Sequence, residues 1–291
     1  MTKIDLHLHS THSDGLLTPK EIIDYAIKKG ISAVAITDHD KATANEEAKI
    51  YADEKGIEYV PGIEITITPP KGIRELHLVG LFIDSNNEEI KKINERHRRY
   101  AIVIAKKIIE KLNELNYEIT FEELSKETEG EHFGRPFIAK ILMRKYPEEF
   151  KKRSEVFDKL LGKNGKAFIL PKGTELDEAI KIIHNAGGIA IIAHPWYLGE
   201  NMLQILEEFI SFGGDGTELD YKPKETIPEK TREILEDFVK KNNLIISGGT
   251  DFHGNKENGK EIGDFGITKE EFSKLKEYWK NNQKSNIFKK V

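Results

Sequence analysis

Seven short stretches of the chain read as strands, most of them nearly continuous apolar runs: residues 3–9, 33–38, 59–65, 75–83, 189–194, 216–221 and 244–248. Runs of this length, several with repeated Ile or Val, suit strands buried on both faces, as in a parallel sheet. Between them the apolar positions take helical spacing. Thr18-Pro19-Lys20-Glu21 supplies a cap, a proline at the first helical position and a glutamate at the third, ahead of Ile22, Ile23, Tyr25, Ala26 and Ile27. Gly30 closes that helix. Residues 174–186 repeat the pattern and end in Gly187-Gly188, and residues 227–241 are amphipathic again. Strand and helix in alternation predict βα units, and seven of them come close to a closed barrel of the TIM type.

The alternation stops between residues 91 and 165. Only helical patterns are found there, over 90–115, 121–128, 135–145 and 154–161, punctuated by Gly130, Gly134, Gly162 and Gly165. The expected organisation is a discontinuous barrel, residues 1–90 and 166–291, with a small helical insertion of residues 91–165 between its fourth and fifth strands.

Composition narrows the chemistry. The 291 residues include no cysteine, which removes disulfides, thiolate nucleophiles and cysteine-held zinc. Any metal must be held by His, Asp and Glu. The start MTKIDLHLHS has no basic-then-apolar leader pattern, and no apolar run approaches the roughly 18 residues that span a bilayer. A soluble, cytoplasmic protein without a membrane partner is expected. A net charge of −5 is not the footprint of bulk nucleic-acid binding, so no stable DNA complex is expected. The basic run Arg96-His97-Arg98-Arg99 reads as a solvated helix face.

Three of ten histidines fall within the first twelve residues, in KIDLHLHSTHSDG. Side chains alternate along a strand, so Asp5, His7 and His9 share one side. Two imidazoles side by side can grip one divalent ion, although an isolated His-x-His is also met by chance. The other candidates follow the strands. His39 lies in TDHD after the second, Glu64 in GIEIT on the third, His77 in ELHLVG on the fourth, and His194 in AHPW after the fifth. Asp251 and His253 lie in TDFHG after the seventh. In a parallel barrel the C-terminal strand ends open on one face, where active sites are built. Imidazoles and carboxylates crowded there are costly unless they pair or hold cations.

On these motifs the chain resembles the polymerase-and-histidinol-phosphatase (PHP) family of metal-dependent phosphoesterases over nearly its whole length. HLH (His7, His9), SDG (Asp14), TDHD (His39), GIE (Glu64), the His77 strand, AHP (His194) and DFH (Asp251, His253) all match. The resemblance implies a distorted (β/α)7 barrel holding three divalent ions, with manganese first and zinc or iron as alternatives. It places His7, His9, Glu64 and Asp251 on a first ion and makes Glu64 a bridge to a second, completed by His77 and His194. Asp14, His39 and His253 hold the third.

The resemblance also implies hydrolysis of a phosphate ester of a small nucleotide, a 3′,5′-nucleoside bisphosphate or the 5′ end of a short RNA. Histidinol phosphate is the alternative substrate, and a non-catalytic metal-binding module the alternative role. In the nucleotide-acting subfamily a GRPHIA motif contacts phosphate through its arginine. Here the stretch reads GRPFIA, with Arg135 retained and Phe137 in place of the histidine. A guanidinium fork suits a phosphate. His132 lies close enough in sequence to share that role, and Trp196 is a candidate pocket wall. His12 is a candidate proton donor to the leaving group, and Asp38 a candidate orienter of an imidazole. Glu218, at the end of the sixth strand, is a weaker candidate at the same rim. Phe133 and Phe137 read as core. The oligomeric state is open.

Overall fold

The computed structural model describes residues 4–73, 75–128, 133–162, 164–170, 172–220, 229–254 and 260–289. The chain divides into two compact units, Met1–Asn94 with Thr174–Val291, and Glu95–Gly173.

Eight strands are found among the described residues of the larger unit. β1 (Asp5–Leu8), β2 (Ala33–Ile36) and β3 (Glu58–Tyr59) pair in parallel, in that order. β4 (Gly62–Thr66), β5 (His77–Leu81), β6 (Ile189–Ile192), β7 (Gly216–Asp220) and β8 (Ile245–Gly248) form a second sheet, in sequence order. The fold is mixed α/β, but two expectations need correction. The stretch 59–65 is not one strand, because Pro61 has no N–H for a ladder and separates β3 from β4. The pairing is not all parallel, because β5 runs antiparallel to both β4 and β6. Among the described residues no helix separates β4 from β5, so the chain returns as a hairpin rather than a crossover. His77 is therefore the first residue of its strand, and the reversal brings it opposite Thr66 at the C-terminal end of β4.

The ladders do not run round into one closed barrel. Single bonds link the two sheets instead. Asp251 N–H donates to the His7 carbonyl at 2.9 Å and His9 N–H to the Phe252 carbonyl at 3.0 Å. Asp40 N–H donates to the Glu64 carbonyl at 2.7 Å and Glu64 N–H to the Asp38 carbonyl at 3.2 Å.

The helices are α1 (Pro19–Lys28), α2 (Asn45–Lys55), α3 (Glu88–Glu114), α4 (Phe121–Glu127), α5 (Arg135–Lys145), α6 (Arg153–Val156), α7 (Leu176–Asn185), α8 (Met202–Ser211), α9 (Glu229–Lys241) and α10 (Lys269–Lys289). Thr18 and Glu21 close the capping box that their spacing predicts at α1. Ile22, Ile23 and Ala26 of α1 bury against Val34 and Ile36 of β2 and Ala48 and Ala52 of α2. A second cluster sets Ile63 and Ile65 of β4 against Ile180 and Ile183 of α7 and Phe209 of α8. A third joins Leu6, Ala33, Val79, Leu81 and Ile191 with Leu275 of α10. Each such aliphatic side chain contributes about 1.5–3 kcal/mol on burial.

The division between the units falls within α3. The smaller unit has its own core, in which Ile108 and Leu112 of α3 meet Leu124, Ile138, Leu142 and Leu160. The helix expected over 154–161 is a short α6 that widens into a π-helical turn, Phe157–Leu161. Gly162 N–H closes that turn on the Phe157 carbonyl.

Candidate metal centre

β4 places Glu64 in the middle of the site, fully buried. Its Oε2 lies 3.2 Å from His7 Nε2, 3.2 Å from His9 Nε2 and 3.1 Å from His39 Nδ1. Its Oε1 lies 3.0 Å from His77 Nδ1 and 3.0 Å from His194 Nε2. One carboxylate thus faces five imidazoles, three on one oxygen and two on the other. Asp251 Oδ1 stands 3.1 Å from His9 Nε2 and 3.6 Å from His253 Nδ1, and Asp14 Oδ1 stands 3.3 Å from His253 Nε2.

Three overlapping groups have ligand atoms close enough to share a cation: His7, His9, Glu64 and Asp251; His39, Glu64 and His77; and His9, Asp14, His39 and His253. His194 adjoins the second group, with Nε2 3.2 Å from His77 Nδ1. All nine residues singled out in the sequence are brought together. The grouping is less cleanly divided than the expected one: His39 turns Nδ1 toward Glu64 as well as standing near Asp14 and His253, and His9 belongs to two of the groups.

Among the described residues, both ring nitrogens of His9, Nδ1 of His39 and Oε2 of Glu64 are buried without a hydrogen-bond partner. Unsatisfied buried polar atoms cost about 1–3 kcal/mol each, and lone pairs converging at about 3 Å need a positive charge between them. A nitrogen and oxygen donor set of this kind fits divalent Zn, Fe or Mn. Without cations, protons supply the charge. Burial would lower His9, but Asp251 and Glu64 lift it to about 10, and against the same burial Glu64 lifts His77 to about 9. Burial takes His39 down to about 4. Burial would raise the Glu64 carboxyl, yet the imidazoles of His39, His7 and His77 hold it well below the usual carboxylate range.

Other side chains fix the cage. Glu218 is fully buried, and its Oε1 accepts from His7 Nδ1 at 2.8 Å while Oε2 accepts the His194 backbone N–H at 2.7 Å. A proton held at Nδ1 leaves the Nε2 lone pair of His7 for the cage. Asp5 accepts from Thr250 N–H (3.0 Å), Thr250 Oγ1 (2.7 Å) and Gly263 N–H (3.0 Å), tying β1 to the loop after β8. Burial raises the Asp5 carboxyl to about 6 against those donors. Gly249 admits no side chain, since a Cβ there would lie 2.5 Å from the backbone nitrogen of His7. Asp40, His194 and Asp251 hold positive φ at the site, a conformation that costs energy in non-glycine residues and clusters at functional positions.

Asp38 is placed differently from its expected role. Its Oδ1 accepts from Ser10 N–H at 2.7 Å and Ser13 Oγ at 2.6 Å, and Oδ2 accepts from Ser10 Oγ at 2.7 Å. It therefore anchors the loop that carries Asp14, and among the described residues it meets no imidazole. His12 lies in that loop with Nδ1 2.8 Å from Thr43 Oγ1, outside the three groups. Trp196 packs against the β4–α7–α8 core, and its buried indole N–H has no hydrogen-bond partner among the described residues. Arg135 lies in the smaller unit, between the Phe157 and Phe168 rings (5.9 and 5.6 Å), and donates from Nη1 to the Leu161 carbonyl at 3.2 Å. Phe133 and Phe137 pack in that unit's core. His132 lies outside the described residues. Sequence reasoning missed the serines that hold Asp38, and it missed Lys260, whose Nζ stands 3.9 Å from Asp251 Oδ2. Nothing in the local spacing marks them.

The model of the PHP domain family matches residues 5–191. The chain belongs to the PHP family. A 5′-3′ exoribonuclease of Haemophilus influenzae is 32% identical over 258 residues, which are 86% of this chain and 90% of the relative. A 3′,5′-nucleoside bisphosphate phosphatase of Chromobacterium violaceum is 28% identical over 267 residues, 90% of this chain and 91% of the relative. A crystallised Bifidobacterium adolescentis protein, described as a metal-dependent phosphoesterase, superposes with a TM-score of 0.79 at 26% identity, covering 94% of this chain and 95% of its own. This PHP protein is a metal-dependent phosphoester hydrolase. Among its described residues no helix is long and apolar enough to cross a membrane.

Proposed function

We propose that the protein hydrolyses a phosphate ester of a small nucleotide, either a 3′,5′-nucleoside bisphosphate or the 5′ end of a short RNA, with three divalent ions and manganese as the first choice. The observation that carries this reading is Glu64. A buried carboxylate with three imidazoles on one oxygen and two on the other suits a bridge between two cations. Asp14, His39 and His253 offer a third position. The bonds that link the two sheets at the cage support reading them as one distorted barrel. The names of the relatives support the substrate class.

Divalent ions held there would polarise the phosphoryl group and make water a nucleophile at neutral pH. The chain's own residues do the rest. Glu218 fixes the tautomer of His7. Asp38 holds the Ser10–Asp14 loop in place. His12, with Nδ1 occupied by Thr43, keeps Nε2 for a proton to the leaving oxygen. Arg135 binds a substrate phosphate through its guanidinium fork.

Phosphate release from adenosine 3′,5′-bisphosphate, nucleotide release from 5′-phosphorylated RNA and phosphate release from histidinol phosphate, each with and without Mn2+, test the proposal. Metal-dependent turnover of either nucleotide substrate, with Arg135→Ala raising KM, is expected. Turnover of histidinol phosphate alone would overturn it.

A further inference from the structure

The two units carry opposite charge. Glu95–Gly173 contains 18 Lys and Arg against 13 Asp and Glu, a net +5. The rest of the chain has 27 against 37, a net −10. Within the helical unit the excess is not spread evenly. On α4 and α5 four basic side chains are paired with carboxylates: Lys126 with Glu122 (2.9 Å), Lys140 and Arg144 with Glu127 (2.6 and 2.5 Å), and Lys145 with Glu123 (2.9 Å). On α3, Arg99, Lys106 and Lys107 are exposed and meet no carboxylate among the described residues.

Residues 99, 103, 106 and 107 share one face at helical spacing. Val103 on that face is 50% exposed. Phe168 and Lys172 lie along the adjoining stripe of the same helix. Lys111 Nζ donates to the Phe168 carbonyl at 3.3 Å, and Lys172 Nζ sits 5.2 Å from the Tyr100 ring centroid. Leu170 between them is 49% exposed. The Phe168 ring lies 5.6 Å from the Arg135 guanidinium. Lys106 Nζ lies over the Phe121 ring, 5.0 Å from its centroid. The face therefore combines cations that meet no carboxylate among the described residues with exposed apolar and half-buried aromatic surface, over about 18 Å of helix from Arg99 to Lys111. Single-stranded nucleic acid is recognised by such a combination, with cations along its phosphates and flat or apolar surfaces under its bases.

We propose that this α3 face binds the sugar-phosphate chain of a single-stranded RNA, on the order of four nucleotides, so that an oligonucleotide rather than a nucleoside bisphosphate is the preferred substrate. The proposal rests on the nucleotide reading above and selects between its two substrate classes.

The test compares the full-length protein with an Arg99→Ala/Lys106→Ala/Lys107→Ala variant and a charge-keeping Arg99→Lys/Lys106→Arg/Lys107→Arg variant. Binding of a fluorescent 5′-phosphorylated 12-nucleotide RNA is followed by anisotropy in EDTA across a salt series, and turnover with Mn2+ on that RNA and on adenosine 3′,5′-bisphosphate. The alanine variant should bind RNA at least 10-fold more weakly, and its slope of log affinity against log salt should fall by about 2. Its KM should rise for RNA and not for the bisphosphate, and the charge-keeping variant should recover both. Unchanged RNA affinity and salt slope would overturn the proposal, as would wild-type affinity for polyglutamate of equal length matching that for RNA. If the wild type turns over neither nucleotide, the functional reading fails, and the anisotropy still decides whether the face binds RNA.

Discussion

Asp5, His7, His9, Asp38, Glu64, His77, His194 and Glu218 are all buried in the larger unit, whereas Thr128 is the one buried polar side chain among the described residues of the helical unit. The helical unit is held by apolar contacts around Ile138 and Leu142. The larger unit has an apolar core too, but it spends part of its burial on groups that are unfavourable there without cations. Similar chain physics thus yields a scaffold in one region and a reactive centre in the other. Substitutions in the two should fail in different ways.

The largest expected effect is at Glu64. Glu64→Gln keeps the volume and removes the charge shared by five imidazoles, so turnover should fall by more than about 100-fold, beyond the range typical of outer-shell changes. Circular dichroism of the helical bands should stay near wild type. In the helical unit, Leu142→Ala should cost about 2–5 kcal/mol of stability on denaturant unfolding, with bound metal per folded chain unchanged. Loss of metal in that variant would break the contrast between the units. Glu218→Gln should lower metal affinity by about 10–100-fold, read by competition with a chelating dye. An unaltered affinity would mean that the His7 tautomer does not depend on it.

The smallest expected effect is a pH trend in the cation-free protein. His9 and His77 stand at about 10 and about 9, above the ordinary imidazole value of 6.5. Their protonated forms therefore stabilise the folded state fully below pH 6.5, and this contribution is lost as pH rises through 9 and 10. Melting in EDTA should show Tm falling across that window. A Tm that rose there would show that the imidazoles are not protonated in the empty cage.

Much of this was legible in the sequence because it depends on local spacing. His7 and His9 sit two residues apart on a strand, and Thr18 with Glu21 forms the capping box. Strand ends carrying His, Asp or Glu pointed to one rim, and those residues do meet. What local spacing could not show was pairing between distant segments. The reversal of β5 depends on a hairpin in place of a helix, and the break at Pro61 changes which sheet Glu64 belongs to. Asp38 illustrates the same limit, because its partners Ser10 and Ser13 are brought to it by the fold. Charge was misleading when averaged over the chain. A net −5 hides a helical unit at +5.

The most direct test of the central claim is the metal content of wild type and Glu64→Gln after reconstitution with Mn2+ and desalting, by plasma mass spectrometry. If Glu64 bridges two cations, the wild type should retain three equivalents per chain and the variant should lose two. Equal metal content in the two proteins would contradict the account.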